Sequence, residues 1–440
     1  MQHNIFPDRQ LVPQNNRIEE LSLQNPQHQR LDNKLDLYLI EAGDEDVVRV
    51  DLVINAGSVH QPKKLCASFT NALVKEGTKN LSSDQIARLL DFYGAYLNTS
   101  ISKDKAVISL FSLTKHLEKL LPLFKEIITQ PVYPLHEFEV HRDRSRQEFL
   151  INSEKARHIA NREFNKLIFG GNSAYGQYLK INDYELLHKE DLTLFHSSYY
   201  TPQNSYLIVS GKPDGNSKKL IVDLFGNSWP RTSSFTKAPT NITSDPFKGE
   251  VLIKKDDFMQ SALRIGKRVI GKLDPDYPKL LFTNTVLGGY FGSRLMTNLR
   301  EDKGMTYGIH SYMSNFKHAS YFSIAAEVKT EQTSAAIAEI KKEINILQND
   351  KISKDELILV KNYIYGNFLK NFDGPFALAE MFRSARDIEK NFDFFNRNLT
   401  EIMTLTADDL LTTAQKHLDI NDMCSLVVGN EPNDKTPKRE

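Results

Sequence analysis

The sequence predicts an α+β fold made of two structurally related domains, each an antiparallel-rich sheet with helices packed on one face, arranged like a clam. The first reason is length, because 440 residues are too many for one compact core and two domains of about 200 residues are expected. The second reason is an internal repeat. Each half places a glycine-containing turn, a strand and an amphipathic helix in the same order, and similar apolar strands at 200–211 and 421–429 close the two halves.

Apolar periodicity defines the elements of the first half. The predicted strands are Leu35–Ile40, Arg49–Ile54, Ala106–Leu113 and Tyr206–Ser210. The predicted helices are Ser83–Tyr93, Thr114–Thr129, Leu135–Phe169 with a break or bend near Ser153, and Lys189–Tyr199. A segment rich in Pro, Thr and Ser follows, which is typical of a linker.

The second half repeats this mixture of strands and helices. Its predicted strands are Glu250–Lys254, Ser261–Lys267 and Tyr321–Val328, and its predicted helices are Pro278–Leu287, Ser293–Lys303, Glu331–Asn349, Ser353–Asn371, Phe376–Lys390 and Ala407–His417. Gly304 is the expected left-handed residue that ends the second of these helices. We therefore divide the chain into an N-terminal domain (1–228), a linker (229–249), a C-terminal domain (250–430) and a charged tail (431–440).

The bulk composition excludes several classes of function. The formal net charge is zero and no basic stripe is present, so nucleic acid is not an expected partner. No apolar run approaches the roughly 18 residues of a membrane span. The two cysteines, Cys66 and Cys424, are far apart, which favours a reducing compartment. The amino terminus has neither the charged nor the apolar region of a secretory signal, and we expect a cytoplasmic protein.

Two segments carry recognisable motifs. The segment 65–79 ends in Gly77-Thr78 and is followed by the turn Gly-Ala-Tyr-Leu-Asn at 94–98. The segment 287–308 contains Ser-Arg-Leu, then Leu-Arg, and a tyrosine seven residues after that arginine. The first resembles the flanks of the His-x-x-Glu-His helix of the pitrilysin/insulinase (inverted zincin) metallopeptidases, and the second resembles the carboxyl-terminal signature of the same family. The resemblance extends over about residues 31–429 and is strongest to the two-domain type represented by the mitochondrial processing peptidase.

The resemblance implies a zinc helix whose chemistry has been lost. The family's two histidines and its glutamate share one helical face, where the histidines hold zinc and the glutamate acts as base. Here those positions hold Ser68, Asn71 and Ala72. Serine is a poor zinc ligand, alanine has no donor atom, and an amide does not titrate near neutral pH. The family's distal glutamate ligand corresponds to Glu148, which without histidine partners is expected to be a solvated or salt-bridged helix residue. We expect no metal to bind this chain.

The carboxyl-terminal signature keeps its functional residues. Arg300 lies in the last turn of a predicted helix and Tyr307 at the start of the next strand. In the family this pair donates hydrogen bonds to substrate carbonyl oxygens near the scissile bond, and such donors stabilise a transition state by a few kcal/mol. The resemblance therefore implies that Arg300 and Tyr307 bind substrate. Without it, helix capping by the arginine and core packing by the tyrosine would be the expected roles.

The erased zinc helix beside an intact Arg/Tyr element indicates a non-catalytic subunit of a heterodimeric zinc metallopeptidase. Such a subunit has no catalytic residues or cofactor of its own. The expected partners are a homologous chain that carries the zinc and an unfolded peptide substrate. One alternative is a non-proteolytic scaffold or peptide-binding homodimer with the same fold. Another is an autonomous hydrolase that uses some other metal constellation.

Overall fold

The computed structural model describes residues 23–230 and 245–430. The predicted tail, most of the predicted linker and the amino-terminal segment 1–22 lie outside the described residues. The strands of the first half are β1 (Gln27–Arg30), β2 (Asp36–Glu41), β3 (Val47–Ile54), β4 (Tyr96–Ile101), β5 (Ala106–Leu113) and β6 (Ser205–Gly211). Its helices are α1 (Cys66–Leu73), α2 (Ser83–Phe92), α3 (Leu117–Thr129), α4 (Leu135–Ser153), α5 (Ala156–Phe169), α6 (Asp183–Leu186), α7 (Lys189–Tyr199) and α8 (Gly215–Val222).

The second half contains a similar set of elements. Its strands are β7 (Gly249–Lys254), β8 (Gln260–Val269), β9 (Thr306–Asn315), β10 (Ser320–Lys329) and β11 (Cys424–Gly429). Its helices are α9 (Tyr277–Asn284), α10 (Thr333–Asn349), α11 (Lys354–Lys370), α12 (Pro375–Arg386), α13 (Asp393–Thr404) and α14 (Ala407–His417). The predicted bounds of β5, α7 and α14 are confirmed at both ends, and the predicted break near Ser153 separates α4 from α5.

Apart from the additional edge strand β1 of the first sheet, the two sheets share one topology. The first sheet has the strand order β1-β2-β6-β3-β5-β4 and the second has β7-β11-β8-β10-β9. In each, the last strand of the half pairs in parallel with an early strand (β6 with β2, β11 with β7), and the other pairs are antiparallel. This correspondence confirms the predicted α+β class and the relation between the halves.

The halves also exchange a helix. Each sheet packs one face against helices of its own half, as predicted, and the opposite face is covered by a helix from the other half. Helix α12 covers the first sheet, where Phe382 and Ala379 are buried with Tyr38 and Val53. Helix α5 covers the second sheet, where Phe164 is buried in a cluster with residues of β8 and β11. The exchange fixes the halves against each other through two separate apolar layers.

Two predicted helices, Pro278–Leu287 and Ser293–Lys303, run into π-helical turns, at 285–289 and 296–302. Residues 296–302 form a π-helical turn instead of continuing an α-helix, and the backbone N–H of Lys303 donates to the carbonyl of Asn298, five residues earlier, at 3.2 Å. A π turn accommodates one extra residue and is frequent at functional sites. It keeps Met296 and Leu299 in the core. Gly304 then has φ = +59°, so the predicted left-handed helix end is confirmed.

None of the described helices is long and apolar enough to cross a membrane.

Candidate functional site

The helix α1 carries the positions where the family would hold zinc. It follows Leu65, whose φ of +69° turns the chain into the helix, and it packs against α4, α7 and β4. The hydroxyl of Ser68 donates to the carbonyl of Leu65 at 2.9 Å. Ala72, one turn further, contributes only a methyl group. Neither position presents a free ligand atom on the surface of the helix.

Asn71 is held by three hydrogen bonds inside the core. Its side chain is 1% exposed. The amide Nδ2 donates to the carbonyls of Ser100 at 2.7 Å and Val107 at 3.4 Å, two residues paired across β4 and β5. Its Oδ1 accepts from the hydroxyl of Tyr200 at 3.1 Å. The amide therefore joins α1 to the sheet and to the end of α7, a structural role that uses the residue's polar groups.

These residues do not fit a zinc ion. Zinc sites are built from several deprotonated nitrogen, sulfur or oxygen donors, and α1 offers a bonded hydroxyl, a bonded amide and a methyl. Within residues 23–230 and 245–430, no group of three or more His, Cys, Asp or Glu side chains is placed to hold a metal. Glu148 is exposed on α4. It lies near His141, whose ring packs edge-on against Phe69 of α1 at 4.6 Å between centroids, and burial lowers the pKa of that histidine.

A half-buried histidine lies beside this network. The ring of His196 stacks on Tyr200 with centroids 4.7 Å apart, and its Nε2 is 2.8 Å from the carbonyl oxygen of Ile128. Burial lowers the pKa of His196 to about 4. Its protonation would place a charge against the ring of Tyr200, whose hydroxyl donates to Asn71 of α1.

This histidine predicts acid sensitivity of the first half. The folded pKa lies below the unfolded value of about 6.5. The stability contributed by neutral His196 is therefore complete above about pH 6.5 and is lost as the pH falls towards 4. We expect the free energy of unfolding to fall by about 3 kcal/mol from this group between pH 7 and pH 4. The measurement is urea unfolding at both pH values, followed by the fluorescence of Trp229, the one tryptophan, which is buried against Phe225.

A matched pair of variants isolates the effect. His196→Gln is expected to lose less stability on acidification than the unsubstituted chain. His188→Gln, at an exposed histidine before α7, is expected to keep the original pH dependence. Equal pH slopes for His196→Gln and the unsubstituted chain would contradict the assignment.

Arg300 lies on the π turn with its guanidinium over the ring of Phe291, 4.6 Å from the centroid. No hydrogen bond or ion pair of this side chain is made with the described residues. Phe291 is itself well exposed. A cation–π contact at an exposed site contributes only about 0.5–1 kcal/mol, so the guanidinium remains able to bind a ligand oxygen.

Tyr307 is 94% exposed at the start of the edge strand β9. Its neighbour Thr306 fixes the backbone there, because the Thr306 hydroxyl lies 2.7 Å from the carbonyl of Glu327 and accepts from the N–H of Gly308 at 3.1 Å. The strand pairing shifts by one residue beside Thr306, between Ala326 and Val328. The phenol is thereby presented to solvent without an internal hydrogen bond among the described residues.

Tyr307 borders a cavity of about 430 Å³ that we call the arginine cleft. Its polar and charged lining side chains include those of Arg157, Asn161, Arg264, Tyr307, His310 and Glu327. Arg300 is not among its lining residues, so the structure does not place the predicted pair in one cavity. The sequence did contain a signal for this cleft, because Arg264 interrupts the apolar centre of a predicted strand.

Comparison with known proteins gives matches to two family models. Residues 38–174 match the model described as Insulinase (Peptidase family M16), and this segment contains α1. Residues 187–364 match the model described as Peptidase M16 inactive domain, and this segment contains Arg300 and Tyr307.

Individual proteins agree with these matches. The chain is 22% identical over 331 residues to the uncharacterized zinc protease YmxG of Bacillus subtilis, covering 74% of this chain and 79% of that protein. It is 24% identical over 396 residues to the non-peptidase homolog YmxG of Helicobacter pylori, covering 86% and 88%. The crystal structure of a peptidase M16 inactive domain from Pseudomonas fluorescens is similar in fold, with a TM-score of 0.84, 21% identity, and coverage of 93% of this chain and 100% of that one.

Proposed function

The chain belongs to the M16 (insulinase/pitrilysin) peptidase family as an inactive member, and we propose that it is the non-catalytic subunit of a heterodimeric zinc metallopeptidase. A homologous partner chain would supply the zinc and the general base. This chain would bind and orient an unfolded peptide opposite that site. The observation that carries the proposal is the contrast between the two motif regions of this chain.

The two regions differ in whether their polar groups are bonded within the protein. Asn71 is 1% exposed, and its amide donates to and accepts from groups in the core, whereas Tyr307 is 94% exposed. A tyrosine kept for packing would be buried, and a buried hydroxyl would have a partner. Arg300 likewise keeps its N–H donors free of the described residues. The region equivalent to a zinc site supports the fold, while the Arg/Tyr element remains available for a ligand.

Arg300 and Tyr307 suit the binding of a peptide carbonyl. A guanidinium presents five N–H donors in a fixed plane and a phenol presents one O–H donor. Donors aimed at an oxygen that gains negative charge are stronger in the transition state than in the ground state, and this difference raises turnover. In the proposed heterodimer this chain's contribution to the reaction is therefore hydrogen bonding to the substrate.

The proposal predicts reconstitution. Neither this chain nor an M16 chain of the same source that carries an intact His-x-x-Glu-His should hydrolyse a quenched fluorescent, unfolded peptide rapidly alone, and the mixture should. With Arg300→Ala or Tyr307→Phe we expect kcat to fall about 100-fold, because one transition-state donor is removed. Gel filtration should show that the heterodimer still forms.

Two substitutions away from the motif serve as controls. Arg88→Ala removes an exposed arginine of α2, and Tyr363→Phe removes the hydroxyl of a tyrosine of α11 that packs on Tyr290. Both controls should keep full turnover. Unchanged turnover in both Arg300→Ala and Tyr307→Phe would contradict the role assigned to the pair.

A non-proteolytic scaffold or peptide-binding homodimer is the second candidate, and the name of the Helicobacter pylori relative, a non-peptidase homolog, favours it. Purification from the native source distinguishes the two. The heterodimer predicts that a zinc-bearing homologous chain co-purifies in equal amount, whereas the second candidate predicts that none does.

A further inference from the structure

The arginine cleft lies on the face of the second sheet that is turned away from its own helices. Arg264 of β8, Ala325 of β10 and His310 of β9 are direct cross-strand neighbours, so their side chains share one face. Helix α5 of the first half crosses this face and contributes Arg157 and Asn161 to the cavity. Both halves of the chain therefore form the cleft, with small Ala325 at its floor.

Arg264 is a buried cation without a buried anion. Arg264 is only 3% exposed. The Nε donates to Oδ1 of Asn161 at 2.8 Å and Nη1 donates to the carbonyl of Leu263 at 2.6 Å. Among the described residues, no carboxylate oxygen lies within 4.0 Å of Arg264 or Arg157. Buried arginines are almost always paired with a carboxylate, because the charge is costly to remove from water.

The charges around Arg264 favour an anion. Burial is the main cause of the lowered pKa of Arg264; Tyr312 and Glu327 raise that pKa, and the nearby charge of Arg157 lowers it further. The pKa of His310 is also lowered, first by burial and then by the two arginines. The acidic residue among the lining side chains is Glu327, which is exposed at the rim. With His310 neutral, two cations face one peripheral carboxylate, so the cavity has a net positive charge.

We propose that the arginine cleft is a subsite that binds a carboxylate group of the peptide substrate, between Arg157 and Arg264. Guanidinium groups match the two oxygens of a carboxylate in a bidentate geometry. Because Tyr307 borders the cleft, a carboxylate held there sets which peptide bond lies at the Arg/Tyr element. This inference rests on the proposed function, because only in a peptidase does the position of the peptide bond matter. It assigns a substrate class, namely peptides with an acidic group near the cleavage site.

A carboxylate can come from an Asp or Glu side chain or from the end of the peptide. The test uses four fluorescein-labelled unfolded peptides, which combine Glu or Gln at one internal position with a free or amidated carboxyl terminus. Their dissociation constants for the isolated full chain are measured by fluorescence anisotropy. We expect the peptide with neither carboxylate to bind about tenfold more weakly than at least one of the acidic peptides, since one charge-assisted bond is worth about 1.4 kcal/mol.

Arg157→Gln is the informative variant, because Arg157 is exposed and its replacement leaves the core intact. It should remove the preference for the acidic peptide and leave the affinity for the neutral peptide unchanged. Arg264→Gln should have the same selective effect, and Arg88→Gln, on the surface of the first half, should have none. A preference that survives Arg157→Gln, or four equal dissociation constants, would overturn the proposal.

The outcomes separate this inference from the proposed function. If the heterodimer cleaves all four peptides with the same KM, the subsite is wrong and the proposed function stands. If the isolated chain selects acidic peptides through Arg157 but no partner restores hydrolysis, the subsite stands and the proposed function is wrong. An effect of Arg157→Gln on KM without an effect on kcat, for acidic peptides alone, supports both.

Discussion

Replacing Asp51 by alanine is expected to lower the free energy of unfolding of the first half by about 3–5 kcal/mol. Asp51 is 1% exposed, on the face of the first sheet that α12 covers. Its Oδ1 accepts from Nε of Arg49 at 2.8 Å and from the hydroxyl of Ser109. Without the carboxylate, the buried guanidinium of Arg49 and the hydroxyl of Ser109 lose their shared partner. The cost is large because, among the described residues, the buried guanidinium of Arg49 then keeps only the partly exposed carboxylate of Glu380 as its ionic partner.

The same network joins the two halves. Arg49 also donates to Glu380 of α12, and Glu380 in turn pairs with Arg383 on the same helix. Glu380 is partly exposed, so its own removal should cost less than the removal of Asp51. The substitution Asp51→Ala should therefore loosen the packing of α12 as well as destabilise the first sheet.

Urea unfolding followed by Trp229 fluorescence measures this effect, because Trp229 belongs to the core of the first half. Asp84→Ala provides the control, since Asp84 pairs with Arg88 on the exposed surface of α2 and such pairs contribute less than about 1 kcal/mol. Asp51→Asn, which keeps a neutral acceptor, should fall between the two. Equal urea midpoints for Asp51→Ala and Asp84→Ala would show that the network does not stabilise the first half.

Periodicity predicted most elements because each buries one face. In β3, alternate residues such as Val48 and Val50 lie in the core of the first half, which is the pattern of a strand with one face on helices. Periodicity cannot say which sheet an amphipathic helix covers, and so the exchange of α5 and α12 was not predicted. The π turn at 296–302 was missed because the helix ends within it, so no apolar stripe continues beyond the turn to show the added residue.

In the candidate site, too, local motifs were predicted and contacts between distant residues were not. Arg300 and Tyr307 were found because they belong to one continuous motif. The arginine cleft was not, because Arg157 and Arg264 are far apart in sequence and meet only through the exchange of α5. For Asn71, the sequence predicted only that the residue cannot act as a base. Its partners, the carbonyls on β4 and β5, are backbone groups that no residue pattern reveals.

Asn71→Asp is expected to destabilise the first half by about 3–5 kcal/mol at neutral pH, although the two side chains have nearly the same shape. The amide Nδ2 donates to the carbonyls of Ser100 and Val107, and a carboxylate would place an acceptor there instead. A buried negative charge would face two carbonyl dipoles of the same sign. Asn80→Asp, at an exposed amide in the loop after α1, is the matched control and should change the urea midpoint little.

The pH dependence identifies the cause. Burial and the two carbonyls would raise the folded pKa of the new carboxyl above its unfolded value of about 3.9. The destabilisation is then full above the folded pKa and decreases as the pH falls through it, because the protonated carboxyl can donate to Ser100. The midpoints of Asn71→Asp and the unsubstituted chain should therefore converge between pH 7 and pH 5, and a constant difference would exclude a charge effect. If the midpoints converge, a carboxylate at position 71, where active family members have their catalytic glutamate, destabilises the fold of this chain. The loss of catalysis in this chain would then be fixed by the packing of α1 against the sheet, and more than a change of residue would be needed to reverse it.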